Sequence, residues 1–167
     1  MKTQQTIMVQ LTSRPWTEEA VQTACQLARA SDASIVLLSM VRVQQIGLLG
    51  TTLGDRTFSR KEQLDLVDYL GMVSEAGVPC TVRRFQYVSL TGAISEAAEW
   101  VDADVVFATV PHRILPLQRR LELANMRRAL TKQGRRLIDV THVDAPSPGR
   151  QPLPTYVDDA RTAPTAL

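Results

Sequence analysis

The stretch DVVFATV, residues 104 to 110, constrains this chain more than any other. It is short, rich in β-branched residues and apolar at both alternating positions, so as a strand it has no face to give to water. Such a strand needs helices above and below it, the setting of a parallel sheet. Four more runs read as strands: TIMVQL (6–11, interrupted by Gln10), ASIVLLSMV (33–41), CTVRRFQYV (80–88) and RRLIDVTHV (135–143).

Helical periodicity fills the spaces between them. In residues 12–31, Ala20, Ala24, Leu27 and Ala28 share a face that Val21 and Cys25 extend, with Pro15, Glu18 and Glu19 suited to the first turn. From Arg60 to Glu75 the apolar stripe falls on Leu64, Val67, Leu70 or Gly71, and Ser74, broadened by Leu66 and Val73. Ile94, Ala97, Ala98 and Val101 form a third stripe. A last helix carries Leu117, Leu121, Ala124 and Arg128, flanked by Leu123, Met126 and Leu130, and Gly134 is placed to stop it. Strands alternating with helices predict one three-layer α/β domain over residues 1–143. Residues 42–59 read as an irregular excursion. Residues 144–167, with five prolines and little apolar periodicity, read as an extended or disordered tail.

Charge excludes less than it localises. Nineteen basic and seventeen acidic residues leave a formal +2, too little to indicate nucleic acid. Seven arginines and one lysine nevertheless lie between Arg113 and Arg136, against the single acid Glu122. With three Phe, three Tyr and two Trp in the whole chain, a base-stacking surface is not expected, and the basic last helix suits an acidic protein partner or solvent instead. Cys25 and Cys80 are too sparse for a disulfide scaffold or a metal knuckle and read as structural thiols of a reduced, cytoplasmic chain. No apolar run approaches the roughly 20 residues of a membrane span, so no membrane insertion is expected.

Sheets of this kind bind ligands at the carboxyl ends of their strands. The loops there supply Thr12, Ser13, Arg14, Gln86, Ser89, Thr91, His112 and Arg113, but neither a Walker loop nor a dinucleotide fingerprint. Arg14 and Arg113 have the chemistry of a phosphate clamp, or are solvated arginines bracing loops. His112 titrates near neutrality but has no nucleophile or carboxylate beside it in sequence. Asp102 and Asp104 sit at the amino end of the central strand and suit turn and helix-end duties. No catalytic set, metal-ligand spacing or cofactor motif is present, and the expectation is a chain that is not an enzyme.

The segments TIMVQLTSRPWTEEAVQTACQLARASDASIVLLSMV and AISEAAEWVDADVVFATVPHR, with the order of elements, resemble the universal stress protein family over about residues 5–143. The resemblance implies a five-stranded, mainly parallel sheet of the adenine nucleotide alpha hydrolase-like type and a stress-related role. It also implies a homodimer through the last strand, which puts Leu137, Ile138, Val140 and Val143 at the interface. Nucleotide-binding members carry Gly-x2-Gly-x9-Gly-Ser/Thr after the fourth strand and an Asp at the end of the first. Laid without gaps, those positions fall on Thr109, His112, Glu122 and Leu123, and on Thr12. None matches. Side chains at Thr109 and His112 obstruct a backbone wrap around phosphate, and Glu122 is expected to set a negative charge near a helix start. The expectation is a regulatory or interaction domain that does not bind ATP in the family's usual way. The alternatives are a small-anion or nucleotide sensor using Thr12, Arg14, Thr109, His112 and Arg113, and, last, a nucleotide hydrolase.

Overall fold

The computed structural model describes residues 4–43, 58–110 and 115–140. The 42–59 excursion for the most part, His112 and Arg113, and the expected tail lie outside the described residues. In chain order the elements are β1 (Thr6–Leu11), α1 (Arg14–Ser31), β2 (Ser34–Arg42), α2 (Arg60–Glu75), β3 (Cys80–Tyr87), α3 (Leu90–Trp100), β4 (Val105–Phe107), α4 (Pro116–Lys132) and β5 (Arg136–Ile138). Five strands form one sheet in the order β3-β2-β1-β4-β5, and every neighbouring pair is parallel.

The pleat sorts the apolar runs onto two faces. Ile7, Val9, Ile35, Leu37 and Phe107 meet Trp16, Ala20, Val21 and Ala24 of α1 and Tyr69 and Val73 of α2. Met8, Leu38, Val106 and Ala108 turn the other way, onto Ile94, Ala97 and Ala98 of α3 and Met126 and Leu130 of α4. Each fully buried side chain of this size contributes about 1.5–3 kcal/mol of transfer free energy. That is the doubly buried sheet the central run calls for, and it makes the three layers.

Two helix ends are built alike. After α1, Asp32 takes a left-handed φ of 52°, and after α3 Asp102 takes 51°. Each turn lets the next alanine amide reach back into the helix, Ala33 to the Ala28 carbonyl at 3.0 Å and Ala103 to the Ala98 carbonyl at 2.9 Å. The following amides then join β1, Ser34 to the Gln5 carbonyl and Asp104 to that of Thr6. Asp104 Oδ2 also accepts from the Thr6 amide at 2.9 Å, and Asp102 lies 3.8 Å from Arg135, so both acids have helix-end and turn duties. At α2 a capping box sets the start, with the Ser59 amide donating to Glu62 Oε2 and the Glu62 amide to Ser59 Oγ. Gly134, at φ 76°, follows α4.

Two helices bury a different stripe from the one their periodicity suggests. In α2 the buried residues are Leu66, Tyr69 and Val73, while Leu64 and Val67 are 61% and 66% exposed. In α4 Met126 and Leu130 are buried, while Leu117 and Leu121 are 81% and 60% exposed. Both helices carry apolar residues on two opposite sides. A 3.6-residue period identifies a stripe but not which of two stripes meets the sheet.

Candidate functional site

Strand order reverses between β1 and β4, so the switch-point crevice opens beyond Leu11 of β1 and Phe107 of β4. On the β4 side this crevice is filled by the chain's own polar groups. The β1–β4 ladder stops at Phe107, which would leave the buried Thr109 amide without a partner. Gln10, the residue that interrupts the first apolar run, is 4% exposed and places Oε1 3.1 Å from that amide. Thr109 Oγ1 accepts from Arg119 Nη2 at 3.4 Å, and the same nitrogen lies 4.0 Å from Asp139 Oδ2. The other Asp139 oxygen accepts from the indole N–H of Trp16 at 3.3 Å. Asp139, just past β5, thus ties the first turn of α1 to the first turn of α4. Arg119 Nε is buried, with no hydrogen-bond partner among the described residues.

The β2 side is open and acidic. A cavity of about 120 Å³ lies there, with Leu11, Thr12, Ser39 and Met40 from the strand ends and Glu62 and Asp65 from α2 among its walls. It is smaller than the roughly 300–1,000 Å³ of ordinary ligand pockets. Bonds to Ser59 hold the Glu62 carboxyl below its usual pKa, the backbone amide contributing most. Burial, then the nearby Asp65 charge, pushes the Tyr69 phenol upward. A second cavity, about 270 Å³, lies toward the amino ends of β2 and β3, where the Arg83 guanidinium sits 5.9 Å from the centre of the Trp100 ring.

Arg14 stands at the start of α1 and faces α2. Its guanidinium bonds Glu18 at 2.7 Å, Asp65 at 3.0 Å and Asp68 at 2.7 Å. Glu18, followed by the other acids, raises its pKa. An anion approaching Arg14 would have to compete with three carboxylates. Arg14 shares no partner with Arg119. Thr12 is exposed; its amide donates to Thr17 Oγ1 at 3.0 Å, and no carboxylate stands where the family's Asp would be. His112 and Arg113 lie outside the described residues.

The position of Glu122 corrects an expectation. Helix α4 begins at Pro116 with no acid in its first turn, so Glu122 and Leu123 lie inside the helix rather than at its start. The loop after β4 is too short for a gap-free family register, which therefore runs on into α4. The first charge on the helix is Arg119. In the sequence Gln10 stands out only as an interruption of the first strand and Arg119 only as one of the arginines between Arg113 and Arg136, and neither Trp16 nor Asp139 carries a motif. A polar residue at the carboxyl end of a buried strand, as at Gln10 and Asp139, was the available signal.

At the far edge, β5 is paired among the described residues on one side only, with β4. Leu137 packs partly against one face of the core, and Ile138 and Val140 against the other. Val143 lies outside the described residues. Cys25 is buried and Cys80 half-buried; burial raises both thiols, Cys80 to about 11, which suits an unreactive role. Among the described residues no cluster of His, Cys, Asp and Glu could hold a metal, and no helix is long and apolar enough to cross a membrane.

No family model and no curated protein matches the sequence. The fold is matched among solved structures. A universal stress protein in complex with cAMP aligns with a TM-score of 0.57 at 20% identity, over 83% of this chain and 98% of its own. A universal stress protein family member from Burkholderia pseudomallei gives 0.56 at 17%, over 82% and 96%. A universal stress protein from Archaeoglobus fulgidus gives 0.55 at 12%, over 82% and 93%. The chain has the universal stress protein fold.

Proposed function

We propose that this chain, built on the universal stress protein fold, is a stress-related regulatory or interaction domain that does not hold ATP in the family's usual way. The observation that supports it most is the crevice between β1 and β4. There Arg119 Nη2 turns toward Thr109 and Asp139, and Gln10 takes the Thr109 amide, so two of the donors that a phosphate would use are engaged within the chain. The open half of the crest presents Glu62 and Asp65, which repel an anion.

In this reading the domain acts without catalysis, cofactor or metal, in the cytoplasm, and pairs with a second copy along the edge of β5. Leu137, Ile138, Val140 and Val143 belong to that contact, and the edge of β5 left unpaired among the described residues supplies its backbone groups. The basic outer face of α4 suits an acidic protein partner. The reading also takes residues 1–143 as the domain and the proline-rich residues 144–167 as its tail.

Thermal melting with ATP and with cAMP tests the reading. A ligand at a hundred times its Kd stabilises by about 2.7 kcal/mol. The expected result is no shift at submillimolar nucleotide. A shift that disappears in Arg119→Ala would overturn the proposal. A second reading, a sensor of a small anion, draws on the buried Arg119 Nε that lacks a partner. Melting raised by inorganic phosphate, and no longer raised in Arg119→Ala, would favour it.

A further inference from the structure

The outward side of α2 has the form of a contact surface. Arg60, Leu64, Val67, Gly71 and Ser74 recur at alternating intervals of four and three residues, the spacing of a helix-pairing seam. All five are exposed, and Leu70 borders them at 38% exposure. This seam lies nearly opposite Leu66, Tyr69 and Val73, so the core does not account for it.

Gly71 sharpens the point. Glycine in a helix interior costs about 1 kcal/mol relative to alanine. A Cβ built at Gly71 meets nothing within 4 Å, and its φ is not left-handed. No contact within the described residues requires a glycine here; a side chain arriving from outside would.

The ends of the helix say what arrives. Arg60 begins α2 and Glu75 ends it, each set against its own helix dipole. Neither has an ion-pair partner among the described residues. A second α2 laid antiparallel, with the two-fold axis beside Val67, brings Arg60 opposite Glu75 of the second copy and Leu64 opposite its Gly71. Each charge then lies at the end of the other helix that favours it, and two-fold symmetry makes every match twice. A parallel arrangement would set Arg60 against Arg60.

We infer that α2 is a self-association surface, in which the Arg60–Leu64–Val67–Gly71–Glu75 face of one copy packs antiparallel on the same face of another. A helix of this length spans about 24 Å, so the contact is small and its population depends on concentration. It goes beyond the pairing proposed at β5. Strands β3 and β5 are opposite edges of the sheet and α2 leads into β3, so the two contacts do not compete.

Sedimentation velocity of the full chain across a wide concentration range tests it, with far-UV circular dichroism confirming that each variant is folded. Arg60→Glu and Glu75→Arg should each weaken association roughly tenfold or more, since each creates like-charge pairs across the axis. The double variant should restore it, and Val67→Glu should abolish it. A double variant no better than either single one would overturn the proposal. So would association lost with Leu121→Glu but kept with Arg60→Glu, which would name the outer stripe of α4 as the occupant. Assembly that none of these variants alters would also overturn it, and would leave the β5 pairing standing.

Discussion

The two halves of the strand-end crest are built on opposite plans. On the β4 and β5 side, Gln10, Thr109, Arg119, Asp139 and Trp16 bond one another from positions in or beside β1, β4, α4, β5 and α1, and Arg119 Nε is left without a partner among the described residues. On the β2 side, Glu62 and Asp65 stand at a small open cavity, and the nearby cation, Arg14, is held by Glu18, Asp65 and Asp68. Side-chain exposure separates them further: 11% for Asp139 against 50% for Asp68. Polar groups removed from water must find partners or destabilise the fold. The same chemistry at the surface is screened and contributes little. The closed half therefore bears on stability, and the open half is free to change.

Asp139→Ala gives the largest expected effect. It removes the acceptor of the Trp16 indole and the nearest charge to Arg119. Stranding these buried groups should cost about 2–3 kcal/mol, read as a lower urea midpoint with unchanged slope. Asp68→Ala, on the open half, should move the midpoint far less. Equal losses would dissolve the contrast between the halves. Next comes Gln10→Leu, which matches the apolar run around it yet leaves the Thr109 amide buried and unpaired. It should cost about 1–2 kcal/mol. A neutral result would mean that water reaches this amide, and the closed half would not be closed.

Much of the architecture was legible because it depends on local pattern. The run at 104–110 demanded cover on both faces, and Asp102 reads as a turn residue, which its left-handed backbone matches. The two misplaced helix stripes share one physical cause. Leu64 and Val67, like Leu117 and Leu121, have the period of a buried stripe, but which of two stripes faces the sheet depends on how the connections orient the helix. The network at the crest was illegible for a related reason. Gln10, Thr109, Arg119 and Asp139 are brought together by strand order, and β1 meets β4 only after two other strands have formed between them in sequence. The Glu122 error came from assuming a loop length that α4, starting at Pro116, does not leave.

The smallest expected effect concerns the open half and depends on pH. Glu62 accepts from the Ser59 amide at 2.7 Å, and this bond holds its carboxyl below the usual range. A carboxyl whose pKa is lower folded than unfolded binds protons more readily in the unfolded chain, so it stabilises the fold above the unfolded value of about 4.3. That contribution declines as pH falls below this value and is lost on passing through the lower folded one. Glu62→Gln should therefore have a lower urea midpoint than the parent at neutral pH. The two midpoints should converge in acid, because protonation makes the parent carboxyl as neutral as the amide. A gap that persists unchanged in acid would assign the stabilisation to the geometry of the cap rather than to the charge of Glu62.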